Sequence, residues 1–165
     1  MSEEQSAAQF IQLMEAMAMH GFEHYEISNF CLPNHYSRHN TNYWKGVKYL
    51  GIGPSAHSYD GEKRQWNVAN NAQYLQALDK KNIPAEVEIL TEANRLNEYI
   101  MTSLRTQWGL NLNQLNQIAK GAADQMLKEA NEFFDKGWIR REAQTIYLTQ
   151  TGKLYADHIA SGLFF

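Results

Sequence analysis

The side chains best suited to chemistry lie in one stretch of the chain, from Tyr25 to Ser58. Within it, the segment from His39 to Trp44 combines an imidazole with two adjacent rings, those of Tyr43 and Trp44. Histidine is a common axial ligand of haem iron, and each aromatic ring offers a flat apolar face with a polar handle. The alternative is a loop held against the core by its two rings. From the residues alone, that second interpretation is the more economical one.

Histidine spacing suggests a metal site at first sight. His35 and His39 are four residues apart, a spacing that would place two ligands on one face of a helix. However, Pro33 and the absence of apolar periodicity predict a loop over Asn29–Gly46. We therefore predict no metal ligands in this chain. Cys31 is the single cysteine, so neither an internal disulfide nor the three or four thiolates of an iron–sulfur cluster are available.

A second candidate is the glycine-containing segment from Gly51 to Ser58, which follows a predicted strand over 47–52. A glycine pair at a strand end lets the backbone approach a ligand. No Lys-Ser/Thr follows, so the segment is not a phosphate-binding P-loop. A tight turn beside another strand remains the alternative and is favoured by the residues alone.

The elements that must position these residues are predicted from apolar periodicity. In the first half, a helix over 6–19 and a strand over 22–27 give an αβ order, and a helix follows over 71–80. Pro84 and the acidic stretch after it predict a domain boundary near residue 85. In the second half, three helices (92–108, 111–119 and 122–135) and a hairpin of two strands (138–141 and 145–148) give the winged-helix order. Thr151 is predicted to cap a last helix.

Charge and hydropathy exclude several classes of function. The net charge is −3, and the predicted recognition helix carries one lysine against four acidic residues, which is too little positive charge for phosphate contacts. We therefore expect no nucleic-acid partner. No apolar run approaches the roughly 20 residues of a membrane span. The N-terminus is acidic where a signal peptide is basic, so a cytoplasmic location is expected.

Three motifs in the first half resemble one known family. They are Tyr25-Glu26-Ile27-Ser28-Asn29-Phe30, then Ser37-Arg38-His39-Asn40 with Asn42-Tyr43-Trp44, then Tyr49-Leu50-Gly51-Ile52-Gly53-Pro54 with Ala56-His57-Ser58. The second half adds Leu104-Arg105-Thr106, Gly137-Trp138-Ile139 and Leu148-Thr149 with Gly152. Together they resemble the C-terminal half of the radical S-adenosylmethionine proteins related to oxygen-independent coproporphyrinogen III oxidase, and more closely the haem-chaperone branch.

The resemblance implies an α+β fold in two parts. Residues 1–85 would be the C-terminal part of a partial (β/α) barrel, and residues 86–165 a winged-helix-like domain. The family's three-cysteine motif, which holds a [4Fe–4S] cluster, has no counterpart here. We therefore expect a fragment without radical chemistry or catalytic residues of its own. Its partners would be haem or a porphyrinogen and the missing N-terminal barrel half, with self-association through the exposed barrel edge.

The resemblance also implies site residues and a function. The haem-contacting residues would be His39, Asn40, Tyr43 and Trp44, whereas Leu50, Gly51 and Gly53 would approach S-adenosylmethionine. The parent protein would be a haem chaperone that binds and transfers haem. Two alternatives are an oxidase that converts coproporphyrinogen III to protoporphyrinogen IX and a non-enzymatic winged-helix interaction module. Pro54 and His57 depart from the oxidase pattern, which favours the chaperone branch.

Overall fold

A computed structural model describes residues 2–165 and confirms the predicted α+β class. No helix in this range is long and apolar enough to cross a bilayer. All paired strands among the described residues are antiparallel, and they do not form a closed barrel. The helices are α1 (Glu3–Met19), α2 (Arg38–Trp44), α3 (Asn71–Asp79), α4 (Glu92–Leu104), α5 (Leu112–Ile118), α6 (Ala122–Glu129), α7 (Asn131–Asp135) and α8 (Ala156–Gly162). The strands are β1 (Glu23–Glu26), β2 (Asn29–Cys31), β3 (His57–Tyr59), β4 (Lys63–Asn67), β5 (Ala85–Ile89), β6 (Leu110–Asn111), β7 (Ile139–Glu142) and β8 (Thr145–Leu148).

Contacts divide the chain into two compact units. The larger unit comprises residues 2–45 and 96–165, and the smaller unit comprises residues 46–95. This grouping is by contact, and the predicted assignment of residues 1–85 and 86–165 to two family domains stays a prediction.

The main core lies in the second half of the larger unit. Helices α4 to α8 and the sheet of order β6–β8–β7 enclose it. Its largest fully buried apolar side chains belong to Ile100, Leu104, Leu110, Leu115, Met126, Ile146, Ile159 and Leu163. Burying one side chain of this size contributes about 1.5–3 kcal/mol to stability.

The predicted winged-helix order is confirmed, with three local corrections, of which two concern its later elements. The helix predicted over 122–135 is divided at Ala130 into α6 and α7. Thr151 makes no side-chain cap, contrary to the prediction, and a 3-10 turn over Gly152–Tyr155 precedes α8. The hydroxyl of Thr149 instead accepts a hydrogen bond from the Gly152 amide at 3.0 Å, because Thr149 already lies against the hairpin, bonded to the carbonyl of Gly137.

Helix α4 ends at Leu104 rather than at the predicted Trp108. The backbone beyond it leaves the helix to pair with β1: the Ile27 amide donates to the Arg105 carbonyl, and the Gln107 amide donates to the Tyr25 carbonyl, both at 3.0 Å. Tertiary pairing therefore overrides the local helical pattern here.

The structure contradicts the predicted loop over Asn29–Gly46, because this segment contains β2 and α2. Ser37 begins α2 by accepting a hydrogen bond from the Asn40 amide at 3.4 Å. Proline restricts only its own backbone and the residue before it, so Pro33 does not prevent a helix that begins at Arg38.

The smaller unit contains an antiparallel sheet of order β3–β4–β5 and helix α3. Helix α3 confirms the helix predicted over 71–80. The strand predicted over 47–52 is wrong, since only Tyr49 pairs, with Tyr59. A Cβ on Gly51 would lie 2.1 Å from the carbonyl oxygen of His57. The chain at Gly51 therefore passes too close to the backbone of β3 for an ordinary side chain.

Candidate functional site

Helix α2 brings the four predicted haem-contacting residues together but divides them between two faces. His39 is exposed, and so is Tyr43, with half of its side-chain surface accessible (50%). Asn40 and Trp44 are partly buried. Residues four apart share one face of a helix, so His39 and Tyr43 point outward while Asn40 and Trp44 point toward the larger unit.

The inward face of α2 begins with an amide contact. The side-chain nitrogen of Asn40 donates to the side-chain oxygen of Asn29 at 3.2 Å. Asn29 in turn donates to Oε2 of Glu26. This contact joins the first turn of α2 to the β1–β2 hairpin.

Glu26 is a buried carboxylate, with 1% of its surface accessible. Its Oε2 also accepts from the Ser28 amide at 3.0 Å, and its Oε1 accepts from Nε of Arg105 at 3.0 Å. A buried charge is tolerated only where an opposite charge and hydrogen bonds compensate for its lost hydration, and Glu26 has both.

Arg105 also contacts the last turn of α2. Its guanidinium carbon lies 5.5 Å from the centroid of the Trp44 indole, within the range of a cation–π interaction. A second nitrogen of Arg105 pairs with Asp157 on α8 at 2.7 Å. The rings of Tyr43 and Trp44 meet edge to face, with centroids 5.0 Å apart. The indole N–H of Trp44 is buried and has no hydrogen-bond partner among the described residues, so ring contacts determine how this side chain is placed.

An aromatic cluster borders the C-terminal end of α2. Lys45, the C-cap residue, holds its ammonium 4.4 Å from the centroid of Trp108. Trp108 packs edge to face on Tyr36 at 5.6 Å. The hydroxyl of Tyr36 donates to the carboxylate of Glu23, and this bond raises the pKa of Tyr36 because it stabilises the protonated phenol. Helix α2 therefore contacts the rest of the larger unit at its C-terminal end as well as along its inward face.

The exposed face of α2 fits haem chemically. Within residues 2–165, the exposed imidazole of His39 has no hydrogen-bond partner, so its unprotonated nitrogen is available to coordinate iron. Tyr43 lies one turn away and offers a flat ring to a macrocycle. No group of three or more metal-ligating side chains converges among the described residues, so His39 would act as a single axial ligand of iron that is already held by a porphyrin.

The residues predicted to approach S-adenosylmethionine lie in the smaller unit and fit that role less well. The Gly51 amide donates to the hydroxyl of Ser58 at 3.0 Å, and the Gly53 amide donates to the hydroxyl of Tyr74 at 3.2 Å. The Gly53 carbonyl accepts from Asn67 at 2.8 Å. These backbone groups are therefore used within the unit, whereas the Leu50 side chain is 77% exposed.

Two other features limit what this chain can do. Cys31 is buried, and burial raises the pKa of its thiol, which favours the unreactive protonated form. As a single thiol it does not fit the ligand set of a [4Fe–4S] cluster. In the wing, Arg140 pairs with Glu142, and Arg141 donates to the Ala143 carbonyl at 2.9 Å. Both wing arginines are therefore engaged within the hairpin.

Three residues of this site were not predicted as site residues: Glu26, Asn29 and Arg105. All three stand in motifs on which the family resemblance was based, the Tyr25–Phe30 and Leu104–Thr106 stretches. A glutamate in a β-prone apolar stretch is itself a signal, since charged side chains are rarely buried without a partner. The sequence does not reveal that its partner lies in the second half of the chain.

The chain is similar to known proteins in sequence and in fold. The family profile described as "HemN C-terminal domain" matches residues 90–155. The chain is 29% identical over 159 residues to "Heme chaperone HemW" of Bacillus subtilis, which covers 95% of the chain and 42% of that protein. It is 33% identical over 144 residues to the protein of the same name from Mycobacterium tuberculosis, covering 87% of the chain and 35% of that protein. The chain thus spans less than half the length of these relatives.

A solved structure shares the fold. The structure described as "Coproporphyrinogen III oxidase (HemN) from Escherichia coli is a Radical SAM enzyme" aligns with a TM-score of 0.66 and 19% identity, over 93% of this chain and 39% of that one. At this identity the likeness shows the fold alone.

Proposed function

Because this chain belongs to the radical SAM family that includes the HemW haem chaperones and HemN, we propose that it binds haem through the exposed face of α2. His39 supplies the axial ligand and Tyr43 packs against the macrocycle, while Asn40 and Trp44 contribute from the buried side of the helix. The whole protein would bind haem and transfer it to an acceptor. The relatives named as haem chaperones support this assignment.

One observation carries the proposal: an imidazole without an internal hydrogen bond is presented on a helix whose other face is fixed. A free histidine on a mobile loop would lose conformational entropy on ligation. On α2 the backbone of His39 is already ordered in the folded chain, so the entropic cost of haem binding is smaller.

For the whole protein we extend the proposal to a [4Fe–4S] cluster and S-adenosylmethionine, as the family implies. The cluster would supply an electron for the reductive cleavage of S-adenosylmethionine. Its thiolates are not among these 165 residues, which contain one cysteine, so we assign no step of that chemistry to this chain. Leu50, Gly51 and Gly53 remain the proposed approach to S-adenosylmethionine, and residues 1–85 and 86–165 the proposed family domains.

The haem proposal is tested by titrating haem into this chain and following the Soret band. We expect saturable binding with the spectrum of a histidine-ligated haem, and a loss of at least about tenfold in affinity in His39→Ala. His20→Ala is the matched control, because His20 is an exposed histidine at the C-terminal cap of α1. Equal affinity in His39→Ala and His20→Ala would contradict the proposal.

A further inference from the structure

We propose that Glu26 is a positioning residue that holds both turns of α2 in place for haem binding, one turn through each carboxylate oxygen. This inference rests on the proposed haem function. The set of residues that makes these contacts is called the Glu26 clamp and consists of Glu26, Asn29, Asn40, Trp44 and Arg105.

One arm of the clamp runs from Oε2. Asn29 donates to this oxygen and accepts from the side-chain nitrogen of Asn40 at 3.2 Å. Because the Asn29 amide both donates and accepts, the buried charge fixes which way that amide points. Asn40 lies in the first turn of α2 and directly follows the exposed His39 in sequence. A shift of Asn40 therefore moves the imidazole with it.

The other arm runs from Oε1. Arg105 donates to this oxygen at 3.0 Å and places its guanidinium 5.5 Å from the centroid of the Trp44 ring. Trp44, in the last turn, adjoins Tyr43 in sequence and contacts its ring. The two arms therefore hold the neighbours of both proposed haem-facing side chains.

A short helix depends on such contacts. Helix α2 has 7 residues, and helices shorter than about 12–15 residues are marginal in isolation. None of its residues is fully buried, so the apolar core contributes little to its position. Polar and ring contacts on the inward face must supply the rest, and Glu26 is the buried charge on which both arms converge.

The clamp predicts that Glu26 affects haem affinity through His39, although Glu26 itself does not touch haem. Partners that orient a ligating histidine typically change affinity by about 10–100-fold when they are removed. Since Glu26 acts through one or two intervening side chains, we expect the lower end of that range, about tenfold.

The test is a double-mutant cycle on the full 165-residue chain. Glu26→Gln and the milder Asn29→Ala are each made alone and with His39→Ala, and the haem dissociation constant is measured from the Soret band. We expect each clamp variant to weaken binding about tenfold in the wild-type background and less than about twofold when His39 is already absent. Asp157→Asn is the control, because Asp157 lies on α8, is exposed, and pairs with a different nitrogen of Arg105 from the one that binds Glu26.

A second readout separates failure of the clamp from failure of the haem site. Hydrogen–deuterium exchange of the α2 amides, measured without haem, should accelerate in Glu26→Gln and Asn29→Ala but not in Asp157→Asn. Unchanged exchange would overturn the clamp, whatever the affinities. Faster exchange together with no effect of His39→Ala on affinity would retain the clamp as a structural feature and overturn the proposed haem role. Equal losses of affinity in both His39 backgrounds would overturn the link between Glu26 and His39.

Discussion

Removing the Arg105 guanidinium should destabilise the larger unit far more than removing its exposed partner, the Asp157 carboxylate. Glu26 is 1% exposed, whereas the Arg105 side chain is 19% exposed and that of Asp157 is 77% exposed. Removing one partner of a buried ion pair costs about 3–5 kcal/mol. Here Glu26 would keep its bonds from Ser28 and Asn29, so we expect Arg105→Gln to lower the free energy of unfolding by about 2–3 kcal/mol.

The assay is urea unfolding followed by tryptophan fluorescence. Of the four tryptophans, Trp66 lies in the smaller unit, so a Trp66→Phe background makes the signal report on the larger unit. A loss of about 2–3 kcal/mol corresponds to a midpoint lowered by about 1–1.5 M urea, for a slope near 2 kcal/mol per molar.

Two further variants make this prediction refutable. Asp157→Asn should cost less than about 1 kcal/mol, as exposed pairs do. Glu26→Gln combined with Arg105→Gln should recover part of the loss, because no uncompensated charge then stays buried. If Arg105→Gln costs no more than Asp157→Asn, the reasoning about a buried carboxylate is refuted.

Three other predictions follow from local geometry. Gly152→Ala should destabilise the larger unit by more than about 2 kcal/mol in thermal unfolding, because a Cβ would lie 1.8 Å from the Trp138 carbonyl oxygen. Gly137 has open space around it, so the control Gly137→Ala should cost only about 1–2 kcal/mol, for its left-handed backbone. Leu115→Ala should cost about 3–5 kcal/mol in urea unfolding, since Leu115 is fully buried; a loss below about 1 kcal/mol would show that the site collapses without leaving a cavity. Burial lowers the pKa of His24, whose imidazole hydrogen-bonds to the Ile27 carbonyl at 2.9 Å and to the Lys153 ammonium at 3.0 Å. The stability that neutral His24 contributes should therefore be fully present above about pH 6.5 and should fall as the pH is lowered toward the depressed pKa. His24→Gln should reduce the difference in melting temperature between pH 7.5 and 5.5.

Much of the larger unit could be predicted because its signals are local. Residues 92–104 and 112–118 bury a stripe with helical periodicity, and the hairpin of β7 and β8 follows a glycine stop at Gly137. The strands β4 and β5 were missed, and neither strand buries a continuous apolar side. Strand β4 shows no apolar alternation, whereas β5 alternates Ala85, Val87 and Ile89 with two glutamates. The glutamates of β5 follow Pro84, and in the sequence they suggested a domain boundary rather than a strand.

The candidate site was predicted only in part, for a different physical reason. The resemblance implied His39, Asn40, Tyr43 and Trp44 as haem-contacting residues. The sequence did not show that α2 is helical, so it could not separate the exposed residues of this set from the partly buried ones. Glu26 and Arg105 are 79 positions apart. No local pattern links two residues at that distance, and only the folded chain brings the carboxylate to the guanidinium.

The central claim is that His39 coordinates haem iron, and chemical rescue tests it most directly. The haem-loaded chain, its His39→Gly variant and an Asn42→Gly control on the same helix are compared by visible absorption and resonance Raman spectroscopy, with and without imidazole in the buffer. Histidine and asparagine have similar helix propensities, so glycine destabilises α2 to a similar extent in both variants and only ligation distinguishes them. We predict that His39→Gly alone loses the histidine-ligated spectrum and that imidazole restores it. A histidine-ligated spectrum in His39→Gly without imidazole would contradict the account.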